Sequence, residues 1–195
     1  MNWLAHFYLA GPDPHARVGA MLGDFHRGPV ETLADARWRA AVREHRAIDV
    51  WTDAHPLVCA SRARLPAPLR RYGGIIIDVA YDHCLARDWA NWSAQSLPAF
   101  VGAVHAALRA DYDRLPPRMQ RSIDHLLQGR TLLSYREPAG VARALAGIAT
   151  RLSRPSPLAA AGPAVTALLP DWAGDFAVFF PELVAFVANR TDAGL

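Results

Sequence analysis

Apolar residues recur along the chain at intervals of three and four, and long alternation of period two is nearly absent. The pattern therefore predicts an all-α fold. The opening MNWLAHFYLAG is apolar but lacks a basic leader and a small-residue cleavage site, so it is expected to belong to the fold. Pro12-Asp13-Pro14 marks a helix start, and Val18, Met21, Leu22 and Phe25 carry an apolar face to a stop at Gly28-Pro29. A second helix is predicted from Thr32, as N-cap, to Thr52, ahead of the turn at His55-Pro56. A broken element follows from Leu57 to Leu65 and is closed by Pro66-Ala67-Pro68.

The segment from Leu69 to Trp89 holds Gly73-Gly74 and the β-branched run Ile75-Ile76-Ile77, which resembles a buried strand. Helix is the better reading, because Tyr81, Leu85 and Trp89 continue an i, i+4 row and no partner strand is evident. Further helices are expected at Leu97 to Tyr112, Pro117 to Gln128 and Pro138 to Leu152. A Pro/Ala-rich stretch from Arg154 to Pro170 then leads to a last helix, Trp172 to Asn189, interrupted or restarted at Pro181. With no internal repeat and no dividing linker, residues 1–195 read as one single-domain helical bundle.

Composition supports one sizeable core: 52% of the 195 residues are hydrophobic. The charges narrow the chemistry. All 21 basic residues are Arg, and without Lys the chain has no Walker-loop lysine, no Schiff-base lysine and no Ser-Lys dyad. Of the 18 acids 14 are Asp, although Glu forms helices better, which suggests that something besides helix propensity selects them. The net charge of +3 favours acidic partners, but no basic block resembles a nucleic-acid arm and the six Trp give no stacking pattern for one. Cys59 and Cys84 are too few for a disulfide framework, so a cytoplasmic protein is expected. The charge-free run Pro155 to Pro170 is short and proline-broken, and no membrane span is expected.

Histidines and aspartates crowd the second quarter of the chain. His45, Asp49 and Asp53 stand at i, i+4 and i+8, within about 80° of one helical face. Asp78 and Asp82 repeat the spacing on a later helix, with His83 beside them. Carboxylate and imidazole together suit a divalent cation such as manganese, magnesium, iron or zinc, held by rigid helices. Solvated Asp/His pairs beside Arg are the plainer alternative, weakened by Ile48, Val50, Trp51, Ile77 and Val79 on the same helices, which imply that the carboxylates are partly buried. His6 reads either as part of such a site or as a core histidine. Arg62, Arg64, Arg70 and Arg71 flank a proline break and read either as a solvated basic face or as a docking patch for an acidic partner.

The opening MNWLAHFYLA, then GAMLGDFHRG (Gly19 to Gly28), HRAIDVWTDAHP (His45 to Pro56) and GIIIDVAYDHCLARDW (Gly74 to Trp89) resemble, in order, the blocks of the acyl carrier protein phosphodiesterase family. The resemblance covers Met1 to Trp89 and is weaker beyond. It implies an all-α fold akin to the HD phosphohydrolases and an enzyme of fatty-acid metabolism that uses manganese or magnesium. The implied reaction hydrolyses the phosphodiester joining 4'-phosphopantetheine to holo-acyl carrier protein. Asp82-His83 stands where the superfamily has His followed by Asp, Ala20 stands where the family commonly has Asn, and His26 occupies a usually apolar position.

Resemblance and spacing together nominate Asp24, His45, Asp49, Asp82 and His83 as metal ligands. Asp24, Arg46 and Asp78 are nominated for catalysis, with Arg46 a candidate phosphate clamp. His6, Asp53 and His55 are nominated as further ligands or orienters. Arg62, Arg64, Arg70 and Arg71 are the candidates for carrier-protein binding. Two alternatives stay open: a metal-dependent phosphohydrolase of a nucleotide or small phosphoester, and a non-catalytic module that binds carrier protein. The sequence leaves open the native metal, the acyl state of the carrier and the oligomeric state.

Overall fold

The computed structural model describes residues 1–128 and 130–192, with side chains described as far as residue 190. Ten helices and five short 3-10 turns make up the described chain, which contains no strand. The helices are α1 (Trp3–Leu9), α2 (Pro14–Leu22), α3 (Ala36–Ala54), α4 (Pro56–Ala63), α5 (Gly73–Arg87), α6 (Leu97–Ala110), α7 (Pro117–Gln128), α8 (Thr131–Ser134), α9 (Pro138–Ala149) and α10 (Gly162–Asp192). Local signals account for most starts. Asp13 caps α2 by accepting from the His15 amide, and Pro14 takes the first helical position, where no N–H is needed. His55 ends α3 and caps α4 through Nδ1, which accepts from the Leu57 amide.

The apolar opening segment forms α1. The Ile75-Ile76-Ile77 run lies in α5, as the i, i+4 row implied. Helix α5 is buried on nearly every side from Ile76 to Ala86 and forms the axis around which α1, α4, α9 and α10 pack. Helices α2 and α3 cross closely because Gly19 has no side chain: a Cβ there would lie 2.3 Å from that of Ala41.

Several predicted boundaries move. Helix α2 stops at Leu22, not Gly28, so residues 23–29 form an irregular segment. Helix α3 starts at Ala36, because Asp35 is its cap and accepts from the Arg37 amide, while Thr32 ends a separate 3-10 turn at Val30–Thr32. Helix α9 ends at Ala149 and α6 at Ala110, each a little earlier than expected, and the one-turn helix α8 carries no predictive pattern. The largest difference is α10, which begins at Gly162 and runs without interruption through Pro170 and Pro181. Each proline removes one backbone hydrogen bond. Burial of Trp172, Phe176, Phe179, Phe180 and Leu183 against the core offsets that loss. Among the described residues no helix is long and apolar enough to cross a membrane.

Candidate metal centre

Helices α1 and α3 and the segment after α2 converge on one cluster. On α3, His45 and Asp49 lie one turn apart, and His45 Nε2 is 3.1 Å from Asp49 Oδ2. From α1, His6 places its Nε2 3.1 Å from the other oxygen, Asp49 Oδ1. The two imidazoles stack with centroids 4.0 Å apart and planes inclined by 22°. Asp24, just past the end of α2, brings Oδ1 to 3.7 Å from His45 Nε2, and its Oδ2 accepts from the indole N–H of Trp3 at 2.7 Å. Asp78 of α5 joins through the amino group of Met1, which lies 3.2 Å from both Asp49 Oδ1 and Asp78 Oδ1.

Burial divides the cluster. The His6 and His45 side chains are 1% and 3% exposed, whereas those of Asp49 and Asp24 are 37% and 45% exposed, so the cluster opens to solvent on its carboxylate side. Burial, reinforced by His45 and the Met1 amino group, lowers the His6 pKa to about 4, leaving a neutral imidazole at pH 7. Burial acts to raise the pKa of Asp49, but hydrogen bonds from His45 and His6 and the charge of the Met1 amino group outweigh it. Asp49 is held ionised, well below the usual carboxylate range. Burial shifts Asp78 upward against the pull of the same amino group.

Donor atoms of His6, His45 and Asp49 all lie within 4.8 Å of one another, and the set combines two imidazoles, that of His6 neutral, with an ionised carboxylate. That chemistry fits a first-row divalent cation. Each imidazole also has a buried Nδ1 without a hydrogen-bond partner among the described residues. Gly23 makes room for this arrangement. A Cβ on it would fall 2.3 Å from His45 Cγ and Cδ2, so only glycine lets the end of α2 rest on the ring. Trp3 and Gly23 carry no spacing signal for a site; Trp3 stands out only by sharing a face of α1 with His6 at i, i+3.

The other nominated residues lie elsewhere. Both oxygens of Asp82 accept backbone hydrogens of α1, from Leu4 at 2.8 Å and Ala5 at 3.0 Å. Asn2, at the N-cap position of α1, makes no capping bond, its side chain donating instead to the Tyr135 hydroxyl, so Asp82 caps α1 from across the core. The Nδ1 of His83 lies 2.6 Å from the Tyr135 carbonyl, away from His6 and His45. Asp53 pairs with Arg62 and His55 with Glu182; eight residues along α3, about 12 Å, separate Asp53 from His45. Arg46 is tied by Nη2 to the carbonyls of His26 and Gly28, at 2.7 and 2.9 Å. It braces the segment that carries Asp24, and a free clamp for phosphate is not what the geometry provides. Arg64 pairs with Asp175, while Arg70 and Arg71 are exposed and make no ion pair among the described residues.

Burial raises the Asp82 pKa to about 7 despite its two backbone hydrogen bonds. Between the ordinary carboxylate pKa and about 7 the folded chain therefore holds more protons than the unfolded one, and this group's contribution to stability is present below that window and declines as pH rises through it. Asp82→Asn removes the titration. The expected result is a flatter dependence of denaturation midpoint on pH between 4 and 7, measured by urea unfolding across that range. An unchanged slope would show that Asp82 titrates normally.

The half-open His/Asp cluster of this all-helical protein is a candidate site for a divalent cation. Comparison with known proteins is specific. The profile of a family described as acyl carrier protein phosphodiesterase matches residues 1–183. Proteins named acyl carrier protein phosphodiesterase are similar along most of their length. The one from Photorhabdus laumondii is 31% identical over 97% of this chain and 96% of its own, and that from Serratia proteamaculans 32% identical over 94% and 96%. The one from Salmonella agona is 36% identical over 79% of this chain and 80% of its own. No solved structure matches. The chain belongs to the acyl carrier protein phosphodiesterase family.

Proposed function

We propose that this chain is a divalent-cation-dependent phosphodiesterase that releases 4'-phosphopantetheine from holo-acyl carrier protein, leaving the apo-carrier. The observation that carries the reading is the convergence of His6, His45 and Asp49, with Asp24 alongside, inside a chain of this family. These four residues would hold the cation, manganese or magnesium. When bound, such a cation supplies Lewis acidity and charge neutralisation toward a phosphodiester. Neutral His6 and ionised Asp49 present lone pairs at pH 7 without first losing a proton. Trp3 and the Arg46-braced segment fix the direction of Asp24. Asp78, linked to Asp49 through the Met1 amino group, would help hold that group beside the cluster.

The test is to incubate the protein with holo-acyl carrier protein and manganese, with and without chelator, and to follow the carrier's intact mass. Loss of one phosphopantetheine group, abolished by chelator, is the expected result. An unmodified carrier combined with turnover of nucleotides or small phosphoesters would favour the broader phosphohydrolase reading, and carrier binding without turnover the non-catalytic one.

Docking of an acidic carrier falls to Arg70 and Arg71. Arg62 and Arg64 are already engaged by Asp53 and Asp175, whereas Arg70 spends only Nε, on the Leu65 carbonyl, and Arg71 lies over the Tyr72 ring. Reversing both charges is expected to raise KM for the carrier severalfold at low salt. The difference should shrink as the Debye length falls from about 10 Å at 0.1 M toward about 3 Å at 1 M. A salt-independent loss would assign the pair to folding instead.

A further inference from the structure

A second feature adjoins the His/Asp cluster without belonging to it. A cavity of about 530 Å³ lies between α1, α2 and α3, with His6 and His45 in its wall. Much of the rest of the wall is apolar: Leu9 from α1, Ala16 and Ala20 from α2, Ala40 and Ile48 from α3. Its charged residues are Asp13 and Arg37, both exposed, and the half-buried Glu44, which pairs with Arg190. Its volume falls within the roughly 300–1,000 Å³ of small-molecule pockets. The two imidazoles are almost wholly buried, and each keeps an Nδ1 with no partner among the described residues, although buried polar atoms are nearly always paired.

We propose that this cavity receives the pantetheine arm of the substrate, a linear, uncharged chain of amides ending in a thiol. The assignment rests on the phosphodiesterase reading above and deepens it. Two features select this occupant. The cavity shares His6 and His45 with the cluster, so an arm in it starts beside the His/Asp side chains, and its charged residues are exposed or paired, leaving a largely apolar wall for a neutral arm. The larger groove on the outer side of α3, about 660 Å³ and lined by Val50, Trp51 and Phe186, lies away from the cluster. Its two arginines are occupied, Arg46 by backbone carbonyls and Arg190 by Glu44, and neither His6 nor His45 reaches it.

The residues that would decide fit are the alanines. Ala16→Leu and Ala40→Leu add bulk to two opposing helices at positions that are half-buried and exposed, where the fold tolerates it. Activity should be measured on holo-carrier and on a small chromogenic phosphodiester that has no arm. The ratio of the two kcat/KM values is expected to fall at least tenfold in the double variant, chiefly through KM for the carrier. Independently of turnover, pantetheine titrated into the wild-type protein should shift the His6 and His45 ring signals and the Ala16 and Ala40 methyl signals in NMR spectra. An unchanged activity ratio, or pantetheine that fails to bind or perturbs only Val50 and Trp51, would overturn the assignment. Should wild-type protein leave holo-carrier intact while pantetheine still shifts these signals, the phosphodiesterase reading fails and the cavity assignment stands.

Discussion

Asp49→Ala is expected to lose manganese binding by more than the roughly 10–100-fold that follows removal of an outer-shell partner, and to lose phosphodiesterase activity with it. Among the described residues, Asp49 is the one side chain that both imidazoles and the Met1 amino group share. Without it, His6 Nε2 and His45 Nε2 have no common anion, and two buried rings 4.0 Å apart have nothing between them to fix their directions. The Met1 amino group would retain Asp78 alone. Calorimetric titration of freshly chelated protein separates this loss from unfolding, with circular dichroism as the check on fold. Affinity within twofold of wild type in folded Asp49→Ala would remove Asp49 from the centre and leave the metal assignment without its keystone.

Gly23→Ala should do nearly as much damage by adding one methyl group. The backbone at Gly23 is right-handed helical, φ −50° and ψ −38°, so alanine costs nothing in conformation there. The new Cβ instead falls on His45, 2.3 Å from Cγ and Cδ2 and 2.8 Å from Nδ1, and the ring must move. It has little room, because His6 stacks against it and Asp49 holds its Nε2. We expect manganese affinity to drop at least about tenfold, as for a disturbed outer shell. Gly174→Ala is the matched control: its Cβ meets open space in α10, and a helical Gly→Ala change there should stabilise by about 0.5–1 kcal/mol in thermal denaturation. Wild-type metal affinity in Gly23→Ala would show that His45 need not occupy the position seen here.

Half of the His/Asp cluster is legible in the sequence because helical spacing is a local property. His45 and Asp49 share one turn of one helix, and one turn is what an i, i+4 pattern reports. The same spacing extends along α3 to Asp53, where angular agreement conceals an axial separation of about 12 Å. It was least informative on α5. A helix buried on nearly every side has no face that pattern can single out, so the i, i+4 pair Asp78 and Asp82 looked equivalent. One meets the Met1 amino group, the other caps a helix 78 residues earlier in the chain. The bonds of Trp3 to Asp24 and the contact of Gly23 with His45 are tertiary, and nothing local encodes them. The fold shows the same division: caps at Asp13 and His55 were visible, whereas continuation of α10 through Pro170 depends on aromatic burial that only the packed structure supplies.

The long-range capping of α1 also orders events during synthesis. A seven-residue helix is far too short to persist alone in water, where about 12–15 residues are marginal. Its anchors, Asp82 and Tyr135, lie 78 and 133 residues downstream of their partners. At roughly 5–20 residues per second the ribosome needs about 6–25 s after finishing α1 to reach Tyr135. Over that interval α2, against which α1 packs, is available, but the full pair of anchors is not. Helix α1 is thus fixed by residues made well after it, and His6 with it.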